Sequence, residues 1–297
     1  MPEHPSMTLS QSILTGLKAD RFRHPLDLEA TNALKQIPGL DGLIRSLLAP
    51  VGEEYFYLEH ISSSILVSDR QLPDLHQLLL DASRILDLEP PQLYIRQHPA
   101  PNAYTLAMRG KKPFMVVHTS LLELLTPEEI QAVIAHELGH LKCDHGVYLT
   151  LANLLVLGAS LLPNWGTMLA GQLQTQMMEW LRCAEFSCDR SALLVAQNPR
   201  TVMSVLMKLA GGSPSLSSQL NLDAFIAQAR AYDAIDKTQL GKLLKEARTA
   251  ELSHPVPVLR AREVDRWAST QDYQKLLQIG KIGYTEEVTS KGEWRNW

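Results

Sequence analysis

The stretch His136-Glu137-Leu138-Gly139-His140 carries the most concentrated chemistry in the chain. Two histidines at this spacing share one face of a helix, one turn apart. Imidazoles so placed can hold one Zn²⁺, with the intervening Glu beside the open coordination position. The pattern works only on a helix, and its flanks supply one. Thr126 and Glu129 have the spacing of a capping box, and Pro127 falls at the first helical position, where its missing N–H costs nothing. Ile130, Val133, Ile134, Leu138 and Leu141 follow at helical spacing and predict a buried stripe.

A catalytic zinc takes three protein ligands and leaves one position for water. The pattern H-E-x-x-H-x-x-G-x-x-H would supply the third from the same segment. It needs Gly and His where this chain has Cys143 and Gly146, and His145 is out of register. The alternative is a Glu from a second helix, with Glu179 and Glu185 as candidates. Glu185 is favoured because Asp189 follows one turn later on the same face. A carboxylate there can accept a hydrogen bond from the far ring nitrogen of a ligating histidine. The flanking Cys183, Ala184, Phe186 and Leu193 predict burial, and a buried carboxylate needs a partner. Cys143, Cys183 and Cys188 lack zinc-knuckle spacing and read as small buried hydrophobes.

Together, His136-Glu137-x-x-His140 and Glu185-x-x-x-Asp189 resemble the HtpX-like gluzincin metalloendopeptidases, a group that includes the CAAX prenyl proteases and the Oma-type mitochondrial enzymes. Pro101-Asn102-Ala103-Tyr104 resembles the family's Asn-Ala motif on the strand lining the cleft. His254-Pro255 with Arg260 resembles its late His-Pro…Arg motif. The resemblance runs from about Pro73 to Trp267, and around Leu28–Leu88 it is similar to soluble-looking members from cyanobacteria and chloroplasts. It implies one Zn²⁺ per chain on His136, His140 and Glu185, with Asp189 orienting a ligand. Glu137 would be the general base on a metal-activated water, and His254 a donor to the developing oxyanion. Arg260 would orient His254 or a substrate carbonyl. Asn102 and Ala103 would bind substrate backbone by strand addition. The implied partner is a protein or peptide substrate. Two other readings stay open: a non-proteolytic zinc-containing scaffold, and a zinc exopeptidase.

The elements that must hold these residues predict an α+β fold, mainly α, with a small, partly antiparallel sheet packed on the zinc-binding helix. Residues 74–87 are strongly amphipathic and are stopped by Pro90-Pro91. Extended runs at 93–96, 103–108 and 114–118 are separated by turn signals, and the last two have hairpin spacing. Three segments are expected: an N-terminal helical extension (1–60), the metallopeptidase domain (61–270) and a C-terminal tail (271–297). In the extension, Leu26, Leu28, Ala30, Leu34 and Ile37 predict the apolar face of a helix, and Asp20–His24 a solvated charged one.

Composition bounds the rest. The chain has 297 residues, 45% of them hydrophobic, enough for a sizeable core. A net charge of −4 with no basic block excludes a nucleic-acid binder. Three cysteines predict a reducing compartment, and the N-terminus shows no secretory signal. The expectation is an intracellular protein, cytoplasmic or peripheral to a membrane. Residues 146–178 contain no charge. The apolar run 147–162 would make a helix of about 24 Å, short of the roughly 30 Å hydrocarbon core. A single crossing would also part His140 from Glu185. An apolar hairpin is expected instead, with peripheral membrane contact or self-association through 147–178.

Overall fold

The computed structural model describes residues 12–36, 58, 62–106, 112–146, 164–235 and 256–282. Among the described residues the main elements are α1 (Pro25–Lys35), β1 (Ile65–Leu66), α2 (Pro73–Ile85), β2 (Gln92–Arg96), β3 (Ala103–Leu106) and β4 (Phe114–His118). After these come α3 (Thr119–Leu124), α4 (Pro127–Lys142), α5 (Asn164–Ala196), α6 (Pro199–Gly211), α7 (Leu222–Ile235), α8 (Pro257–Ala268) and α9 (Gln271–Ile282). The fold is α+β and mainly α, as expected.

The sheet order is β1-β2-β4-β3. β3 and β4 form the expected antiparallel hairpin pair, with Ala103 opposite Val117 and Thr105 opposite Met115. β2 runs parallel to β4, and β1 antiparallel to β2. Side chains alternate across the sheet. Leu93, Ile95, Met115 and Val117 enter the main core, whereas Tyr94, Phe114 and Val116 form a small cluster on the other face. β3 therefore lies at the edge of the sheet, with Ala103 and Thr105 turned toward the helices.

α4 is built as its sequence dictates. Glu129 N donates to Thr126 Oγ1, and Thr126 N to Glu129 Oε2, completing the capping box. The predicted stripe from Ile130 to Leu141 is buried. At its other end the helix closes in a Schellman motif. Asp144 adopts a left-handed conformation (φ 59°), its N–H donating to Leu141 C=O and that of His145 to His140 C=O. This turn folds His145 back beside His140.

α5 packs along α4, and the two backbones are closest at Gly139. A Cβ there would stand 2.9 Å from Ser191 Cβ and 3.0 Å from Cys188 Cα. Glycine thus sets the helix spacing, one turn or less from both motif histidines.

The N-terminal segment is part of the same core, contributing Leu14, Leu17 and Phe22. Gln197 pins it by accepting from Ser12 N and donating to Ser12 C=O. Two expectations are corrected here. On α1 the buried side chains are Asp27 and Thr31, while Leu26 and Leu28 are exposed. Polar partners on α5 and after α4, not an apolar surface, await that face. The cluster 20–24 is not a solvated face either: Phe22 is buried, and the Arg23 side chain is only 8% exposed. At the other end, Tyr273 and Leu276 of α9 join the core. The apolar run 147–162 and residue Ile37 lie outside the described residues. No helix among the described residues is long and apolar enough to cross a membrane.

Gly139→Ala should lower stability by about 1–3 kcal/mol, because neither a backbone nor a Cβ on α5 can give way cheaply. Thermal or denaturant unfolding of the two proteins side by side measures this. An unchanged midpoint would mean that the helices do not meet there.

Candidate metal centre

α4 presents His136 and His140, and α5 presents Glu185 and Asp189, each pair one turn apart on its helix. Glu185 falls between the two imidazoles. Its Oε2 is 3.3 Å from His136 Nε2, and its Oε1 is 3.3 Å from His140 Nε2. Asp189 Oδ1 lies 3.1 Å from His136 Nδ1 on the far side of that ring. Nδ1–H can therefore donate to Asp189, leaving the Nε2 lone pair turned toward Glu185. The structure thus gathers His136, His140, Glu185 and Asp189, with Glu185 and Asp189 almost fully buried.

Arg260, at the start of α8, was expected to orient His254 or a substrate carbonyl. Its guanidinium meets the two carboxylates of α5. Its Nε and Nη2 donate to Asp189 at 2.8 and 2.6 Å, and Nη1 lies 3.1 Å from Glu185 Oε2. The reason is charge: two carboxylates side by side in the interior demand a cation, and the planar guanidinium can face both. Burial pushes Asp189 up, but the Arg260 charge and its hydrogen bonds more than offset this, and the carboxyl sits below its ordinary range. Burial pushes His136 down, yet the Glu185 carboxylate and the Asp189 bond hold it up at about 9.

The general-base candidate Glu137 is buried. Thr105 Oγ1 donates to its Oε2 at 2.9 Å. Sequence reading missed Thr105. The signal available was parity: Thr105 shares a face with Ala103, two residues along the same strand. Asn102 is exposed just before β3, and its C=O accepts from His118 N at 2.9 Å. Ala103 opens the edge strand. His254 lies outside the described residues.

A metal fits this donor set on two grounds. Two imidazole nitrogens converge on one buried carboxylate, an arrangement that a bound cation would complete. Glu137, Glu185 and Asp189 also outnumber Arg260, and a dication would balance them. A rival set of His136, His140 and Cys188 also lies within ligand reach. Glu185 is preferred because both Nε2 atoms face it. Cys188 Sγ stands 3.7 Å from His145 Nδ1, which itself contacts the other nitrogen of His140. Burial also pushes the Cys188 thiol well up, away from the thiolate that binds metal.

His145, out of register as a ligand, was expected near the site, behind the ligands and not among them. It is fully buried, with Nδ1 at 3.3 Å from His140 Nδ1 and Nε2 at 3.1 Å from Asp27 Oδ2. Burial pushes it down to about 4, only partly offset by Asp27. Asp27 is pushed up by burial, but bonds from His145, Arg23 and Ser187 more than offset that and hold it well below the carboxylate range.

A helix-borne H-E-x-x-H pattern facing a glutamate on a second helix, beside an edge strand, defines a metal-dependent peptidase class. The chain belongs to peptidase family M48, whose sequence model matches residues 69–268. It is 58% identical over 262 residues to the plastoglobule-localized metallopeptidase 48, chloroplastic, of Arabidopsis thaliana, covering 88% of this chain and 76% of that protein. It is 30% identical over 186 residues to protease HtpX homolog 2 of Methanosarcina mazei, covering 53% and 63%. With the HtpX homolog of Moorella thermoacetica, identity is 26% over 223 residues, covering 65% and 73%. No solved structure matches significantly. The protein is thus an HtpX-like protease, a hydrolase of a metal-dependent family acting on protein substrates.

One expectation falls at this point. A simple cytoplasmic placement is corrected by the Arabidopsis relative, whose name puts it in chloroplast plastoglobules. Cysteine content speaks to redox environment and not to address.

Arg260→Met should cost about 3–5 kcal/mol, the usual penalty for leaving buried charges without their partner. Arg260→Lys should recover only part of it, since one ammonium cannot face both carboxylates as the fork does. Chemical denaturation of the three proteins gives the ranking, and an Arg260→Met protein as stable as wild type would contradict it.

Proposed function

We propose that the chain is a zinc-dependent endopeptidase. The observation that carries this reading is the convergence of His136 Nε2 and His140 Nε2 on the Glu185 carboxylate, each 3.3 Å away. His136, His140 and Glu185 would hold the ion. Bound there, zinc would lower the pKa of a water and polarise the scissile carbonyl.

The remaining steps belong to the chain's own side chains. Glu137 takes the proton of the attacking water and passes it to the leaving amine. Thr105 holds the Glu137 carboxylate by one oxygen, which fixes the direction of the other. Substrate adds as a strand along β3, beside Asn102 and Ala103, so main-chain pairing fixes the scissile bond relative to Glu137. Because Thr105 lies on that same strand, the base and the peptide share one frame. Asp189 keeps His136 in the tautomer that ligation needs. Arg260 balances Asp189 and Glu185. His254 is proposed, on resemblance alone, as donor to the oxyanion. An open-ended edge strand favours internal cleavage over trimming from an end.

The relative's plastoglobule address supports a setting at a lipid surface, with the uncharged residues 147–178 as the segment making contact.

Casein or a peptide library with mass-spectrometric readout tests the reaction. Wild type should cut internal bonds, and chelation should stop it until zinc is returned. Glu137→Gln should lower kcat by at least about 100-fold, the lower end of general-base contributions. Asp189→Asn should weaken zinc binding about 10–100-fold. Undiminished cutting by Glu137→Gln would defeat the mechanism, and cleavage confined to chain ends would make it an exopeptidase.

A further inference from the structure

The buried cluster of Asp27, Cys143 and His145 lies outside the proposed zinc site and is not used by the mechanism above. Its ligand atoms are within 4.8 Å of one another, which raises the question of a second metal. The surroundings argue against one. Asp27 Oδ2 already accepts from Arg23 Nε at 2.9 Å and Ser187 Oγ at 2.6 Å, and its Oδ1 accepts from Thr31 at 3.0 Å. The Arg23 guanidinium also donates to Cys143 C=O, so a cation already sits where a second metal would go. Burial pushes the Cys143 thiol up, away from the thiolate form.

The same contacts form a directed chain. Asp27 is an acceptor only, so His145 Nε2 must carry the proton between them, at 3.1 Å. In neutral His145 the lone pair is then on Nδ1. That atom faces His140 Nδ1 at 3.3 Å, so His140 must donate from Nδ1. The lone pair of His140 is thereby placed on Nε2, the nitrogen turned to Glu185. The opposite direction is excluded, because it would set an imidazole lone pair against the Asp27 carboxylate. Cys188 S–H offers His145 Nδ1 only a longer, weaker donor at 3.7 Å.

We propose that Asp27 and His145 are positioning residues for the metal centre, a carboxylate–imidazole chain that fixes the tautomer and ring orientation of His140. This rests on reading His140 as a zinc ligand. It gives the two histidines of the motif different outer supports: Asp189 holds His136 directly, whereas His140 is held through a second imidazole. It also gives residues 12–36 a role in the site. Asp27 precedes the family-matched region, 69–268, yet is fully buried against its core. The segment is pinned by Gln197 to Ser12, by Asp87 Oδ2 accepting from Gly16 N, and by Ser187 accepting from His24 N.

The test uses the full chain and zinc itself, with affinity measured by competition against a chromophoric chelator. Asp27→Asn replaces the carboxylate with a neutral, weaker acceptor, so the proton on His145 Nε2, and with it the His140 tautomer, is no longer firmly fixed. His145→Phe keeps the ring but removes the acceptor. Each should lower zinc affinity about 10–100-fold. The double variant should be no weaker than the single ones, because both act through one chain. Phe22→Leu, in the same segment, should lower the melting temperature and leave zinc affinity within about twofold, because it trims an apolar side chain and removes no hydrogen bond of the chain. Long-range ¹H–¹⁵N spectra of the zinc-loaded wild type should show His140 protonated at Nδ1 and His145 at Nε2. His140→Ala separates the two levels of the argument. If it loses zinc while Asp27→Asn binds as wild type does, the positioning role is overturned and the ligand reading stands. If His140→Ala keeps zinc, the ligand reading falls and the proposal with it. A loss in Phe22→Leu equal to that in Asp27→Asn would mean a packing effect only, and would also overturn the proposal.

Discussion

The site depends on how closely α4 and α5 can approach. Their backbones meet at Gly139, where even a methyl group would strike Ser191 and Cys188. The distances from His136 and His140 to Glu185, and from His136 to Asp189, are measured across that contact. His136 and His140 lie one turn apart on one helix, Glu185 and Asp189 one turn apart on the other. When two such ladders cross at this spacing, one carboxylate falls between the imidazoles and the next falls outside one of them. Widening the crossing to admit a methyl would shift Glu185 relative to both rings at once. The glycine within the motif is therefore geometric in function, and the chemistry of its neighbours follows from its lack of a side chain.

The second constraint is electrostatic. Three carboxylates buried beside two imidazoles cannot stand in a medium of low dielectric without compensation. Arg260 supplies one positive charge from a third helix, and a dication would supply the rest. This explains why Arg260, at the start of α8, is buried. The same carboxylates raise the pKa of the His136 imidazole against the effect of burial.

What was legible in the sequence was local. The capping box at Thr126 and Glu129, the stripe on α4, the hairpin spacing of β3 and β4 and the Glu185–Asp189 ladder each depend on residues a few positions apart, and periodicity reports them directly. What was not legible depends on which surfaces meet. Thr105 looks like any strand threonine until β3 is laid against α4 and brings it to Glu137. Arg260 gave no sign of which side of α8 would be covered. Leu26 and Leu28 predicted the wrong buried face for α1, because periodicity counts apolar residues and cannot see a polar partner. The compartment was misread for a related reason: composition reports redox environment, not address.

The inversion of α1 also sets how the N-terminal segment is recognised. An apolar helix face would stick to many surfaces with similar energy, since hydrophobic contact is non-directional. Asp27 and Thr31 instead bury hydrogen-bonding groups, and a buried polar group is stable only where every partner is in place. Asp27 finds Arg23, His145, Ser187 and Thr31, and Thr31 accepts from Trp180 Nε1 at 2.9 Å. These partners come from the segment itself, from the turn after α4 and from α5. They coexist only when α4 has closed its Schellman turn and α5 has docked at Gly139. The segment thus reads whether α4 and α5 are correctly assembled. A helix held by such a network is seated in one register or not at all, and that register places Asp27 two imidazoles away from Glu185.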